Sequence, residues 1–577
     1  MQTSDISKAT LQLQGFEDFV RTTMQDWKLQ GLAIAIVKDG EVISSKGFGL
    51  RDAASGLEVT PQTLFPIASC TKAFTTTAMA ILVDEGKLDW DTPVRSYIPT
   101  FKLYDPFTTE RITPRDLVTH RSGLPRHDLV WYNSSASRRQ LFDRLQYLEP
   151  SKDFRAVWQY QNLMYMAAGY LIQQITGQTW EEFVQQRIFD PLGMASSNFS
   201  IVETAEKATD FSHPYREEKD EVKEIPFYAA QGAIGPAGAI VSNISDMSKW
   251  VLLQLNKGKY GDTQIVSEAQ LAQLHFPQMV IPETSNYTEI AYSSYGMGWA
   301  VTTYRGHPMI NHSGGIDGFS TLTTFFPQDA IGIVVLANMG GTPISGILTF
   351  NAFDRLLGMD EVPWSERSKK EREEFKAASE KGKEKSETDR VPGTTPSHPL
   401  DAYTGDFEHP GYGTLSVQLD GDQLQITYNS MVFPLKHYHY DIFEFTLEKW
   451  EMNFKVSFLT NVKGDIDTLT APLEPTVKDI VFKRAVRKEM TEQSFLEQFV
   501  GIYEVMSMNM TVALKGEHTL SASISGQPEQ ELVPYKGTEF QLKGLSGFSV
   551  EFKKDDSGKV TEATVTMPYG VFTAKKK

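Results

Sequence analysis

The chain has 577 residues, of which 40% are hydrophobic and 11% aromatic, with a net charge of −17. At roughly 100–200 residues per domain this supports about three or four domains with real cores and excludes a mostly disordered chain. The acidic balance argues against nucleic acid and anionic membrane surfaces as partners, and the single cysteine excludes an internal disulfide or a CxxC site.

The first residues, MQTSDISKATLQLQGFEDF, carry no basic n-region and no apolar h-region. Nowhere does the chain approach the ~18 consecutive apolar residues of a membrane span. Together these read as a cytoplasmic protein without a membrane segment. Leu11, Phe16, Phe19, Val20, Met24 and Trp27 recur at helical spacing and predict an opening amphipathic helix. LAIAIVKDGEVISSKGFG then places two β-rich runs around Asp39-Gly40, a hairpin signal. Mixed helices and loops follow to about residue 290. A second strand pair, STLTTFF and IGIVVLAN, is joined by Pro327-Gln328-Asp329. Strands at both ends with helices between imply that the two ends meet in one sheet, which is α+β logic.

Composition changes near residue 364. SERSKKEREEFKAASEKGKEKSETDR has no apolar stripe and reads as an exposed, part-helical charged linker over 364–396. Beyond it the pattern is all-β, with short runs cut by DGD, KGD, KGE and DDSG turns. Tyr403-Thr404-Gly405-Asp406-Phe407 is echoed by Phe499-Val500-Gly501-Ile502-Tyr503. This weak repeat predicts two related β modules, 397–487 and 488–577, each a small barrel or curled sheet, with one irregular β domain and a chance similarity as the alternative. The domains expected are therefore 1–363, the linker, and these two modules.

The chain has no GxxxxGK[ST], GxGxxG, HExxH or GxSxG pattern. What stands out is Ser69-Cys70-Thr71-Lys72, placed ahead of the helical run AFTTTAMAILVDEGKL. A serine there sits at a helix N-terminus with a lysine one turn along the same face. Serine is a weak nucleophile and needs a base within hydrogen-bond reach. A lysine serves if burial and positive neighbours lower its pKa. Further on, Tyr160-Gln161-Asn162 opens a second helical run and His312-Ser313-Gly314-Gly315 precedes FSTLTTFF.

In this order the three motifs resemble the serine β-lactamase and penicillin-binding-protein superfamily, whose pattern is S-x-x-K, Y-x-N and a K/H-[TS]-G strand. The flanks ITPRDLVTHRSGLP, GPAGAIVSNISDMSKW and YGMGWAV resemble its class C β-lactamase-like branch, with D-aminopeptidase, alkaline D-peptidase and esterase relatives. The resemblance spans about residues 10–355 and implies an antiparallel sheet flanked by helices. It implies Ser69 as nucleophile, Lys72 as proton acceptor and Tyr160 as a second acid–base group, the last two titrating as a pair. It gives Asn162, His312, Ser313 and Gly314 substrate-binding roles, and the backbone N–H groups of Ser69 and Gly315 an oxyanion hole. His120 and His127 flank a signature loop and are read as structural, and Cys70 as a buried thiol.

His312 departs from the lysine common at its position, so a fixed cation for a substrate carboxylate is missing; a histidine adds charge only if a proton reaches it. That favours amidase and esterase members. The C-terminal modules resemble lipocalin-like barrels appended to some relatives, with no loop that the sequence alone places in a cleft. The expected function is a serine hydrolase cleaving amide or peptide bonds, with D-residues or small peptides as candidate substrates, through an acyl-enzyme. A carboxylesterase on short acyl esters is the alternative, and a catalytically weak binding protein the remote one. No metal or organic cofactor is expected. The partner is a small-molecule or peptide substrate, with a homo-oligomer left open.

Overall fold

A computed structural model describes residues 11–228, 232–282, 285–447, 452–524 and 526–577. The opening helix α1 (Phe16–Asp26) leads into β1 (Gly31–Lys38) and β2 (Glu41–Asp52), joined through Asp39 and Gly40, both with positive φ. That is the left-handed pair a tight hairpin needs. Then come the buried helices α2 (Thr71–Asp84) and α3 (Leu163–Thr176), the small hairpin β3 (Tyr215–Glu218) and β4 (Glu221–Glu224), and α4 (Ile244–Leu255). Four long strands follow: β5 (Ala300–Tyr304), β6 (His307–Ile316), β7 (Phe319–Phe326) and β8 (Ile331–Ala337). Helices α5 (Ile344–Leu357) and α6 (Trp364–Thr388) end this part.

Strands β5, β6, β7, β8, β1 and β2 run in that order through a nine-stranded sheet. β1 pairs antiparallel with β8, Leu32 facing Ala337, so the two ends of the domain do meet in one sheet. β1 is buried along nearly its whole length because helices cover both faces. On one face Ile34, Ile36, Val335 and Phe353 share a core with α1 and α5; on the other Ala33, Ala35, Val334 and Trp250 join the larger core around α2. The architecture is an α+β domain, an antiparallel sheet flanked by helices, followed by two closed β-barrels.

Each barrel is a closed ring of eight strands, the first from Gly405–His409 to Ile480–Arg484 and the second from Gly501–Val505 to Gly570–Lys576. The echoed pentapeptides open them, and the glycine has a steric reason. A Cβ on Gly405 would meet Arg484 Nη1 at 2.7 Å, and one on Gly501 would meet Lys576 Cε at 2.6 Å. In each ring the last strand ends in a cation that crosses the first strand's glycine. Arg484 lies 4.7 Å from the Phe407 ring and Lys576 5.6 Å from the Tyr503 ring.

The charged segment is helical over most of its length. Residues Trp364–Thr388 form one helix, anchored at its start by Trp364. That ring is buried against Tyr287 and Phe350, and its Nε1 donates to Tyr304 Oη at 3.1 Å. One anchor residue and ion pairs such as Arg372–Glu217, 2.6 Å, replace the apolar stripe.

Candidate active site

The chain reaches Ser69 through Ala68, whose φ of +46° is costly for a residue with a Cβ. A short 3-10 turn, Ala68–Cys70, then feeds α2. Ser69 is thereby raised to the floor of a cleft while Lys72 stays fully buried beneath it. Lys72 Nζ lies 3.0 Å from Ser69 Oγ, 2.8 Å from Asn162 Oδ1 and 2.8 Å from the Ala237 carbonyl oxygen. Burial pushes the Lys72 pKa well down, and the nearby Arg126 guanidinium adds to this. A neutral amine has two N–H donors, which Asn162 and Ala237 absorb. Its lone pair is then left facing the serine hydroxyl.

Tyr160 lies in the loop just before α3, not in the helix. Its ring centroid is 4.9 Å from Lys72 Nζ and 5.3 Å from the Arg126 guanidinium carbon. Burial raises its pKa, opposed in part by a hydrogen bond to Ser69 and by Arg126, so the group is a neutral phenol. Asn162 stands at the N-cap of α3 but makes no side-chain cap. Instead its Nδ2 donates to Asp128 Oδ1 at 3.2 Å, which orients Oδ1 toward Lys72. Asp128 also accepts from Arg126 Nε at 2.6 Å and Trp131 Nε1 at 2.8 Å. No motif in the sequence marked Arg126 or Asp128.

The third motif lies on β6, which packs against the Ser69 turn. A Cβ on Gly314 would collide with the Ile67 carbonyl and Thr321 Oγ1, which is the steric reason for glycine there. Gly315 is exposed and lines the cleft with Ser69. His312, Ser313 and Gly314 are not in the cleft wall. His312 is buried behind Tyr160, its Nδ1 2.7 Å from the Ser313 carbonyl oxygen and its Nε2 2.9 Å from Tyr295 Oη. The carbonyl fixes Nδ1 as the donor, so Nε2 accepts from the tyrosine. Burial, with Lys72 nearby, pushes this imidazole's pKa down to about 3. His312 is therefore a neutral strut for Tyr295 and carries no charge toward a ligand. Cys70 turns away, its Sγ 3.1 Å from the His312 carbonyl oxygen, with its pKa raised by burial.

The cleft holds about 930 Å³ and is walled by Trp131, Tyr132, Trp158 and Phe319 from the first domain. Its roof comes from the first barrel: Met452, Phe454 and the loop from Leu473 to Thr476. Glu474 in that loop is buried and accepts from His127 N–H at 2.9 Å. His127 Nδ1 is 2.6 Å from Tyr412 Oη, and Tyr428 Oη donates to the Leu129 carbonyl at 2.8 Å. His127 is thus a docking residue for the barrel. Tyr295 is buried behind the cleft, and Tyr292 is exposed outside it.

The beta-lactamase family model matches residues 16–351. The chain belongs to the beta-lactamase family. A domain of unknown function, DUF3471, matches residues 389–484, the span of the first barrel. An unguisins hydrolase of Aspergillus violaceofuscus is 31% identical over 438 residues, covering 70% of this chain and 76% of the relative. The protein flp of Staphylococcus aureus is 27% identical over 336 residues, 56% of this chain and 63% of that protein. Among solved structures, an octameric penicillin-binding protein homologue from Pyrococcus abyssi superposes with a TM-score of 0.53 at 22% identity, covering 82% of this chain and all of that one. D-amino acid amidase from Ochrobactrum anthropi gives 0.50 at 23% identity, over 61% of this chain and 98% of that one. These likenesses place a beta-lactamase-family hydrolase fold under the Ser69 cleft. No described helix is long and apolar enough to cross a membrane.

Proposed function

We propose that this protein is a serine amidohydrolase that cleaves peptide or amino-acid amide bonds through an acyl-enzyme on Ser69. One observation carries the reading: a fully buried lysine, its pKa pushed well down by burial, lies 2.8 Å from both Asn162 Oδ1 and the Ala237 carbonyl and 3.0 Å from Ser69 Oγ, so that its neutral form spends both N–H groups on the first two and turns its lone pair to the hydroxyl. Lys72 takes the hydroxyl proton as Oγ bonds the substrate carbonyl carbon. The oxyanion is held by the Ser69 and Gly315 N–H groups. When the C–N bond breaks, the departing amine needs a proton. The neutral Tyr160 phenol supplies it and is re-protonated from the Lys72 ammonium. Water then attacks the ester, its proton passing through the same pair to Ser69 Oγ.

A phenol placed beside the nucleophile to protonate the leaving group matters more for an amine than for an alkoxide, which supports amide over ester cleavage. The size of the cleft and its aromatic walls suit an oligopeptide rather than a single residue. The hydrolase and amidase names among the relatives point the same way. Two experiments test the reading together: labelling with a fluorophosphonate, and kcat/KM on D-Ala, L-Ala and Gly p-nitroanilides against p-nitrophenyl acetate and nitrocefin. Wild type should label at Ser69 and turn over amides. Ser69→Ala should lose labelling and at least about three decades of rate. Turnover by Ser69→Ala above about 1% of wild type would remove Ser69 from the mechanism.

A further inference from the structure

The β3–β4 hairpin holds a group of donor side chains that the serine chemistry does not use. Asp52 ends β2, His213 lies just ahead of β3, and Glu224 ends β4. One ligand atom from each lies within 4.8 Å of the other two. His213 Nδ1 and Glu224 Oε1 are hydrogen-bonded at 2.8 Å, so the pair needs to open by only about 0.5–0.8 Å to reach the roughly 3.3–3.6 Å between tetrahedral ligands on bonds of about 2.0–2.2 Å.

Backbone contacts hold the three residues in place, and the donor atoms are themselves hydrogen-bonded: Asp52 Oδ1 accepts the Ser55 N–H at 3.0 Å, and His213 Nδ1 pairs with Glu224 Oε1, a bond that an ion would replace. His213 N–H donates to the Arg51 carbonyl at 2.8 Å, and Ile225 N–H to the Pro214 carbonyl at 3.0 Å. Ala53 N–H donates to Tyr215 Oη at 2.8 Å, while Tyr215 faces Glu224 across the hairpin. The His213 ring is stacked on Phe211 and edge-on to Phe227, which sets its plane. Asp52 is buried and Glu224 exposed, so the group opens to solvent on the Glu224 side. Nearby cations are turned elsewhere. Arg51 pairs with Asp210 and donates to the Glu58 carbonyl, and Lys223 pairs with Glu221.

We propose that Asp52, His213 and Glu224 form a divalent-cation site that takes Zn²⁺ and clamps the β3–β4 hairpin to the end of β2. One imidazole nitrogen and two carboxylate oxygens suit Zn²⁺ better than Mg²⁺ or Ca²⁺, which favour all-oxygen shells. Water completes the tetrahedron. The ion also bears on the Ser69 cleft, because Arg216 and Ile225 of the same hairpin line its wall. Clamping the hairpin stiffens that wall without any part in the chemistry.

The test uses the full, tag-free chain, stripped with a chelator and titrated with ZnCl₂ by calorimetry, with thermal melting alongside. Wild type should bind one Zn²⁺ at this site and melt higher with it. Asp52→Asn, His213→Gln and Glu224→Gln should each weaken binding at least about tenfold and lose the melting shift. Glu224→Gln alters only an exposed side chain, so it keeps the test decisive if a variant at the buried end folds poorly. Co²⁺ absorption bands that disappear in the same variants would support the ligand set. No binding by wild type, or variants that titrate and melt as wild type does, would overturn the proposal. The readouts are independent of turnover, so a failed hydrolase reading leaves them intact.

Discussion

In the first barrel the last two strands, Ile466–Ala471 and Ile480–Arg484, are joined by residues 472–479. In the second the matching strands, Val560–Met567 and Gly570–Lys576, are joined by Pro568 and Tyr569 alone. The strand count and the glycine–cation closure are the same in both rings. The longer turn is what reaches the Ser69 cleft. Around it the first barrel's core is continuous with that of the first domain, Phe482 and Leu415 sharing one cluster with Leu129 and Leu148. The second barrel keeps a core of its own. It meets the first through polar contacts: Asn461 with Tyr535, Asp465 with Tyr535 and Lys536, and Lys463 with Glu539. Two rings of the same strand count thus do different work because one carries a longer turn and the docking side chains beside it, which separates a scaffold from the function it carries.

Deletion gives the largest test of that difference. Removing residues 397–577 should cost at least about 10² in kcat/KM, since the cleft loses its roof and an apolar core is exposed. Removing only 488–577 should leave kcat/KM within about twofold. Equal losses would break the comparison. Replacing 472–479 by a two-residue Asn-Gly turn should follow, with peptide kcat/KM down about tenfold while a small fluorophosphonate still labels Ser69. Loss of labelling would mean that the loop supports the nucleophile itself.

Glu474→Ala strands the His127 N–H, and unfolding should show about 1–3 kcal/mol of destabilisation. The pH profile separates the buried bases. Activity should fall as pH drops through the depressed Lys72 pKa, because protonation removes the lone pair that Ser69 needs. His312 stays neutral above about 3, so His312→Gln should keep the midpoint of that acid limb even if its rate drops. A shifted midpoint would bring His312 into the titration. The smallest effect belongs between the barrels. Lys536→Ala removes an exposed ion pair with Asp465 and should change stability by about 0–1 kcal/mol by denaturant titration.

Much of this was readable in the sequence, where the physics is local. Ser69 and Lys72 are one helical turn apart, so spacing alone predicts their meeting. The Asp39-Gly40 turn and the repeat at Gly405 and Gly501 likewise signal backbone geometry that few residues tolerate. Long-range packing left no such trace. His127 and Glu474 are 347 positions apart, and nothing near either residue announces the other. Arg126 and Asp128 look like ordinary surface charges until Tyr160 and Asn162 are folded against them. The part-helical reading of the charged segment left out its anchor, because one buried tryptophan at its start holds a helix that is otherwise charged.

The pairing of β1 with β8 also sets a schedule for synthesis. Leu32 must wait for Ala337, about 300 residues later. At ~5–20 residues per second the ribosome takes roughly 15–60 s to deliver it. For that interval the apolar β1–β2 hairpin has one unpaired edge, the kind of surface on which nascent chains aggregate. The last strand to emerge inserts at the centre of the sheet rather than at its rim. The domain's fold therefore becomes permanent only near the end of its own translation, and a chain cut short before residue 331 would leave that edge open.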